Sequence, residues 1–422
     1  MTKASAAFDY FRREQLNLLG SHADLIKAKR EINQRLAAIR VLIDRQLYAT
    51  NGGGKTYDQW HKDTQPFHWY TEFYPVMAQR GGFDVIIGNP PYVEYTKVKE
   101  YRINGYKTLS CGNLYAYVIE RVEQLLARGG KTGMIIPHSA ICTDRMESLF
   151  NIIVKRGGWF STYDTRPDKL FDGVDQRLLI YILGFNSVKT TKYNRWNAEY
   201  RPYLFNTLQF TDGMIADFTS LSKISTPVEH SILRKVHECP RLAMFCGKNG
   251  RLLYYHSAPR YFIRATKRMP YFWNQKEGEK LSVSIKICSF KDEDSATIGC
   301  AMLNSSLFYM WFLVMSDCRH LNAREVDNFP CISHIEPDRN ALLRLFDELM
   351  IDYENHKTRK ETYYKATGKV VYDEYYPKYS KSIIDKIDEL LAKHYGFTEE
   401  ELDFIINYDI KYRMGDELKA GD

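Results

Sequence analysis

The 422-residue chain is short of everything that marks a membrane, secreted or classical metal-binding protein. No uninterrupted apolar run approaches the ~18 residues of a spanning helix, and no leader-like segment opens the chain. Its eight cysteines (111, 142, 239, 246, 288, 300, 318 and 331) form no Cys-x-x-Cys pair and no Cys/His group at zinc-like spacing. They read as reduced thiols, and the expectation is a soluble cytoplasmic protein without a metal. No internal repeat or low-complexity tract appears. The charge imbalance is small, 59 Lys plus Arg against 52 Asp plus Glu, a net +7 that is compatible with nucleic acid without demanding it.

What is present is apolar and aromatic. Hydrophobic residues make up 44% of the chain, enough for a substantial core, and the length suggests two domains. The 31 Tyr and 22 Phe, interleaved with Lys and Arg, suit stacking on bases beside phosphate contacts, and equally suit a large ordinary core.

The decapeptide Phe83-Asp84-Val85-Ile86-Ile87-Gly88-Asn89-Pro90-Pro91-Tyr92 is the most specific feature. A strand-type apolar run stops at Gly88, and two prolines then fix φ and remove backbone donors. Asn89, preceding a proline, is pushed out of the helical region. The spacing predicts a stiff hook at the carboxyl end of a strand, where open α/β sheets bind ligands. An amine on an aromatic ring is a poor nucleophile, because its lone pair is delocalised. Two acceptors aimed at its hydrogens favour the tetrahedral form as charge develops. The Asn89 side-chain oxygen and the Pro90 carbonyl could be those acceptors, and Tyr92 offers a face for a base to stack on. A strand ending in a tight turn is the plainer alternative.

Along the chain, residues 8–48 read as helical with a break at Gly20-Ser21, Ser21 serving as N-cap. Asn51-Gly52-Gly53-Gly54-Lys55 reads as a flexible loop, since neither the strand before it nor the Ser/Thr-led helix after it that a phosphate loop needs is present. Beyond the hook the pattern predicts a helix over 113–127 ended by Gly129-Gly130, a strand over 131–137, a helix over 147–156, and strands over 160–164 and 178–185. This alternation argues for a largely parallel sheet. After about residue 195 the texture changes to short β segments, isolated aromatics and basic residues, with amphipathic helices expected over 338–357 and 381–395.

Four pieces in order resemble the adenine-N6 DNA methyltransferases, in particular the large type IIG restriction-modification methylases. They are residues 81–92; Pro66-Phe67-His68-Trp69 with Glu72-Phe73; Gly112-Asn113-Leu114-Tyr115 with residues 130–137; and residues 170–177 with the apolar strand after them. The resemblance implies S-adenosyl-L-methionine as methyl donor and double-stranded DNA as substrate. It implies Asn89, Pro90, Pro91 and Tyr92 as the catalytic hook, Phe171 as a second wall of the base pocket unless it is core packing, and Pro137 at the same cleft. His138 beside it reads as a loop residue rather than a base. It further implies a partial Rossmann-like methyltransferase sheet over 81–195, behind a helical lead-in over 1–80. An α+β target-recognition domain with a helical C-terminal part would cover 196–422. Candidate DNA contacts are Arg260, Arg264, Lys267, Arg268 and Arg177, each with a structural alternative.

The glycine-rich cofactor loop of that family is not legible upstream of the hook, which leaves Asp84 and Asn89 as weak cofactor candidates. The chain therefore reads as the carboxyl-terminal half of such a methylase, with three readings open. It is one part of a split enzyme whose separate subunit supplies the cofactor half, an inactive fragment, or a DNA-binding specificity module. Half a parallel sheet leaves an unpaired edge, so poor solubility of the chain alone is expected.

Overall fold

The computed structural model describes residues 2–17, 19–98, 102–332 and 335–415. It divides into two compact units. The first is Met1–Ile136 with Asn151–Gly158 and Ile180–Asn186, and the second is Pro137–Phe150 with Trp159–Leu179 and Ser187–Asp422.

The first unit opens with two helices, α1 (Thr2–Leu16) and α2 (His22–Asn51). Gly20-Ser21 separates them as expected. Ser21 is extended and its hydroxyl accepts from the Asp24 N–H at 3.1 Å, satisfying a donor that the helix start would leave free. Ala4, Ala7 and Phe8 of α1 pack on Ile32 and Leu36 of α2 and on Tyr74. Buried Asp44 of α2 holds His68 at 2.7 Å, so part of the Pro-Phe-His-Trp stretch serves to dock the helices. Helix α2 runs to Asn51 and Gly52 caps it, so only the Gly53-Gly54 end of the glycine run is a turn.

The next strands in chain order are β1 (Phe83–Gly88), β2 (Leu126–Pro137), β3 (Gly158–Tyr163), β4 (Leu178–Leu183), β5 (Val188–Asn194) and β6 (Thr211–Asp212). In the first unit β1 lies beside β2, and β2 beside β4; in the second, β3 lies beside β5, and β5 beside β6. β1 and β2 are parallel, as the alternation predicts, whereas the two-residue strand β6 pairs antiparallel with β5, so both kinds of pairing occur. Gly82, at φ +143°, brings the chain into β1 so closely that a Cβ there would lie 2.5 Å from the Leu125 carbonyl. That contact demands glycine.

The expected helix over 113–127 ends earlier, at Leu125, and β2 begins at once rather than at Lys131. Gly129 and Gly130 do not stop a helix. They belong to an irregularity in which Phe83 pairs with Leu126 but Val85 with Lys131, so residues between them bulge from the ladder. Gly129 adopts φ +81° there.

β1 is a terminal strand of its sheet, with β2 its sole neighbour among the described residues. Val85 and Ile87 on it are 60% and 78% exposed. The unpaired edge expected from the sequence is present and carries apolar side chains.

In the second unit the strands β7 (Cys246–His256), β8 (Ala265–Thr266) and β11 (Ile285–Phe290) make a three-stranded sheet in the order β11-β7-β8. The strands β9 (Phe272–Asn274), β10 (Gly278–Glu279), β12 (Thr358–Tyr364) and β13 (Gly368–Glu374) make another, ordered β10-β9-β13-β12. The core centres on helices Glu293–Asn304 and Ser306–Met315, the latter buried on every side. Buried Asp388 accepts from the Ser306 and Leu307 N–H groups at 3.0 and 3.2 Å, tying the second helix start to helix Lys381–Tyr395. Helices Arg339–His356 and Lys381–Tyr395 lie where amphipathic periodicity predicts them. Among the described residues no single helix is long and apolar enough to cross a membrane, and the central pair, bent by 69°, is consumed by the core.

Candidate base-binding hook and nucleic-acid interface

The hook follows β1 directly. Asn89 and Pro91 are exposed, Pro90 is buried and Tyr92 is half-buried. Backbone bonds lash the next residues to the start of helix Leu114–Leu125: Leu114 donates to Val93 and Tyr95 donates to Gly112, both at 2.9 Å. From the same helix, Glu120 accepts from the Lys107 and Thr108 N–H groups at 3.0 and 2.9 Å, holding the intervening loop. The Gly112-Asn113-Leu114-Tyr115 stretch is therefore the splint of the hook. Tyr115 also meets Tyr92 edge-on, ring centroids 6.3 Å apart.

The Tyr92 hydroxyl lies 2.5 Å from Asn89 Oδ1 and 2.9 Å from the Ile135 carbonyl of β2. One hydroxyl has one proton, so it serves one of these acceptors at a time. Burial pushes the phenol up to about 12, keeping that proton in place. The arrangement fixes the Tyr92 ring and presents Asn89 Oδ1 as an exposed acceptor within reach of a donor from solvent or ligand.

S-adenosylmethionine needs a glycine loop after a strand, where backbone approaches the cofactor. Among the described residues only helices precede β1. Asp84 is exposed and paired with Arg80, a surface arrangement rather than a pocket. The described residues do not fit the cofactor.

The remaining candidates lie in the second unit. Pro137 and His138 are both buried. His138 donates its N–H to the Arg177 carbonyl at 3.0 Å, and neither ring nitrogen has a partner among the described residues. Burial drives its pKa far down, so it is a neutral core group. Phe171 is half-buried at a turn closed by the Val174 N–H on its carbonyl at 3.3 Å. Arg177 is engaged internally, 2.6 Å from the Tyr193 hydroxyl and 3.5 Å from Asp164.

The basic stretch divides in two. Arg260 and Arg268 are exposed. Arg264 lies over the Tyr375 ring at 4.6 Å, and Lys267 is held by Glu293 and by Thr297, the latter at 3.0 Å. Arg260 and Arg264 line a cleft of about 750 Å³ together with Tyr271, Tyr364, Tyr376 and Lys378. Sequence reasoning does not single out these last four. The adjacent aromatic pairs Tyr363-Tyr364 and Tyr375-Tyr376 are the available signal; Tyr364 lies at the end of β12, and Tyr375 and Tyr376 follow β13. A wall of aromatics with cations among them can stack bases and neutralise phosphate.

Residues 11–171 match the Eco57I restriction-modification methylase family. That segment holds the hook, its splint and Phe171. Over 115 residues the chain is 30% identical to the type II methyltransferase M.HincII of Haemophilus influenzae, covering 25% of this chain and 23% of that one. Over 75 residues it is 36% identical to a putative type II restriction enzyme and methyltransferase of Methanocaldococcus jannaschii, covering 18% of this chain and 6% of that one. The chain thus spans less than a quarter of the curated relatives it matches. Among solved structures, the type IIG restriction endonuclease BpuSI aligns at 11% identity and a TM-score of 0.25, over 78% of this chain and 53% of that one.

Proposed function

We propose that this chain is the target-base and DNA-recognition part of an adenine-N6 DNA methyltransferase of a restriction-modification system. It acts on double-stranded DNA together with a part that holds S-adenosylmethionine. The observation that carries this reading is the Asn89-Pro90-Pro91-Tyr92 hook at the end of β1, with Asn89 Oδ1 exposed and Tyr92 splinted beside it. The match of residues 11–171 to a restriction-modification methylase family supports it.

A flipped base stacks on the Tyr92 face. Its amine donates to Asn89 Oδ1, and with the Pro90 carbonyl as second acceptor the nitrogen lone pair turns out of ring conjugation. As the amine arrives, the Tyr92 hydroxyl keeps its proton and turns its hydrogen bond to the Ile135 carbonyl, 2.9 Å away. S-adenosylmethionine supplies an activated methyl group, and the sulfonium chemistry needs no metal. The aromatic and basic cleft of the second unit, with Arg260 at its rim, is the surface proposed to read or hold DNA. The roles of Phe171 and Pro137 as pocket walls rest on the resemblance of residues 170–177 and 130–137.

The lack of fit to the cofactor favours a second reading, an inactive DNA-binding specificity module. Calorimetric titration of S-adenosylmethionine into the purified chain, with and without pooled duplex DNA, separates the possibilities. Tight binding by the chain alone overturns the split reading. No binding, with DNA retained and methyl transfer recovered on adding a cofactor-holding part, supports it. DNA retained with transfer never recovered leaves the specificity module.

A further inference from the structure

Three side chains scattered through the sequence meet in the second unit. Cys246 opens β7, Cys288 lies on the neighbouring strand β11, and Asp327 ends the short helix Ala323–Asp327. Their ligand atoms all lie within 4.8 Å of one another, and the two Sγ atoms are 3.4 Å apart.

The backbone makes this meeting possible. β7 and β11 pair antiparallel, with Ser289 opposite Leu252 but Phe290 opposite Cys246. This register shift between Ser289 and Phe290 brings Cys246, at the start of β7, beside β11. Asp327 is half-buried, and among the described residues it has no hydrogen bond and no ion pair. Two thiols and a partly desolvated carboxylate that lacks an ion pair among the described residues converge here, with Lys291 the cation that acts on Cys246.

We infer that Cys246, Cys288 and Asp327 bind a divalent transition-metal ion of the zinc class. Two sulfurs and one oxygen are a ligand set that such an ion accepts. Tetrahedral coordination with metal–sulfur bonds of about 2.3 Å places the sulfurs about 3.8 Å apart, a small adjustment from the spacing present. Binding displaces one proton from each thiol, the carboxylate enters ionised, and water takes the fourth position. The ion joins β7, β11 and the end of helix Ala323–Asp327, so its role is to brace the sheet of the second unit. The ligands are far apart in sequence, which is why no zinc-like spacing is legible.

The test uses the full chain, reduced and stripped of metal. Titration with Co²⁺ should give thiolate-to-cobalt charge-transfer absorption and tetrahedral d–d bands that saturate at one ion per chain and are displaced by Zn²⁺. Maleimide labelling, mapped by mass spectrometry, should slow by about tenfold or more at Cys246 and Cys288 when Zn²⁺ is present, and at no other cysteine. Cys288→Ser should abolish the charge-transfer band and Asp327→Asn should weaken Zn²⁺ binding. The labelling measurement needs no variant, so misfolding of one cannot obscure it. Absent cobalt bands, labelling indifferent to Zn²⁺, or a Cys246–Cys288 disulfide that forms equally fast with and without Zn²⁺ overturns the proposal.

Discussion

The Tyr92 hydroxyl is 2.5 Å from Asn89 Oδ1, so the residue placed to stack on a base also occupies the acceptor placed to orient its amine. The two functions of Tyr92 separate by substitution. Tyr92→Phe keeps the ring and frees Asn89, and should keep base binding within about threefold, whereas Tyr92→Ala should lose the roughly 1–3 kcal/mol of a stacked base. Fluorescence of duplexes carrying 2-aminopurine at the target position reads both. Equal losses in the two variants would show that the hydroxyl, not the ring, does the holding.

Asn89→Ala removes the exposed acceptor but none of the hook's backbone. Methyl transfer in the reconstituted enzyme should fall on the order of 10²–10³-fold, the usual effect of deleting one preorganised polar group at a reacting centre. DNA retention in a gel-shift assay should stay unchanged. A loss of both would mean that Asn89 is needed for the fold of the hook.

Burial of Tyr92 has a pH consequence. A phenol raised to about 12 stays protonated from neutrality well past the unfolded value near 10. The stabilisation is whole below about pH 10 and is lost as pH rises through about 12. The rate profile between pH 6 and 9 should show no inflection that Tyr92→Phe removes.

Two histidines of the second unit act in the opposite direction. Burial drives His138 far down and His256 to about 4, and His256 stays neutral while its Nδ1 accepts from the Ala258 N–H at 3.2 Å. Because the unfolded imidazole titrates near 6.5, the unfolded chain takes up protons first. Their contribution is complete above about pH 6.5 and is lost as pH falls toward about 4. Thermal melts across that window should show a falling midpoint, and His256→Gln should flatten the fall.

Arg195 is clasped between Asp164 at 2.8 Å and Asp409 at 2.5 Å, with its side chain 7% exposed. Arg195→Ala takes the ion-pair partner from Asp409 and leaves Asp164 with Arg177 alone at 3.5 Å, and should cost about 2–3 kcal/mol, below the ~3–5 kcal/mol of a fully buried carboxylate left with no partner. Denaturant unfolding measures this, and a cost below about 1 kcal/mol would mean that solvent reaches the site.

Much of the fold and of the hook is legible in the sequence, for identifiable reasons. Ser21, the 3.6-residue periodicity of Arg339–His356 and the apolar run ending at Asn89-Pro90 are local signals, and local signals survive without tertiary context. Gly129-Gly130 misleads because a glycine pair signals a helix end and a bulge alike, and only the register of β1 against β2 tells them apart. Arg264 and Lys267 are plainly basic in the sequence, but their internal engagement is hidden there, since Tyr375 and Glu293 lie far along the chain. The Cys246, Cys288 and Asp327 cluster is invisible for the same reason.

The open edge of β1 is a matter of concentration as well as of partnership. Two copies meeting edge to edge can pair their free backbone groups and cover Val85 and Ile87. That encounter scales with the square of abundance, whereas capture by a distinct neighbour scales with the neighbour's own supply. A scarce chain tolerates such an edge and an overproduced one precipitates. Ile87→Lys should raise the concentration at which light scattering first appears, leaving the melting temperature of the first unit unchanged.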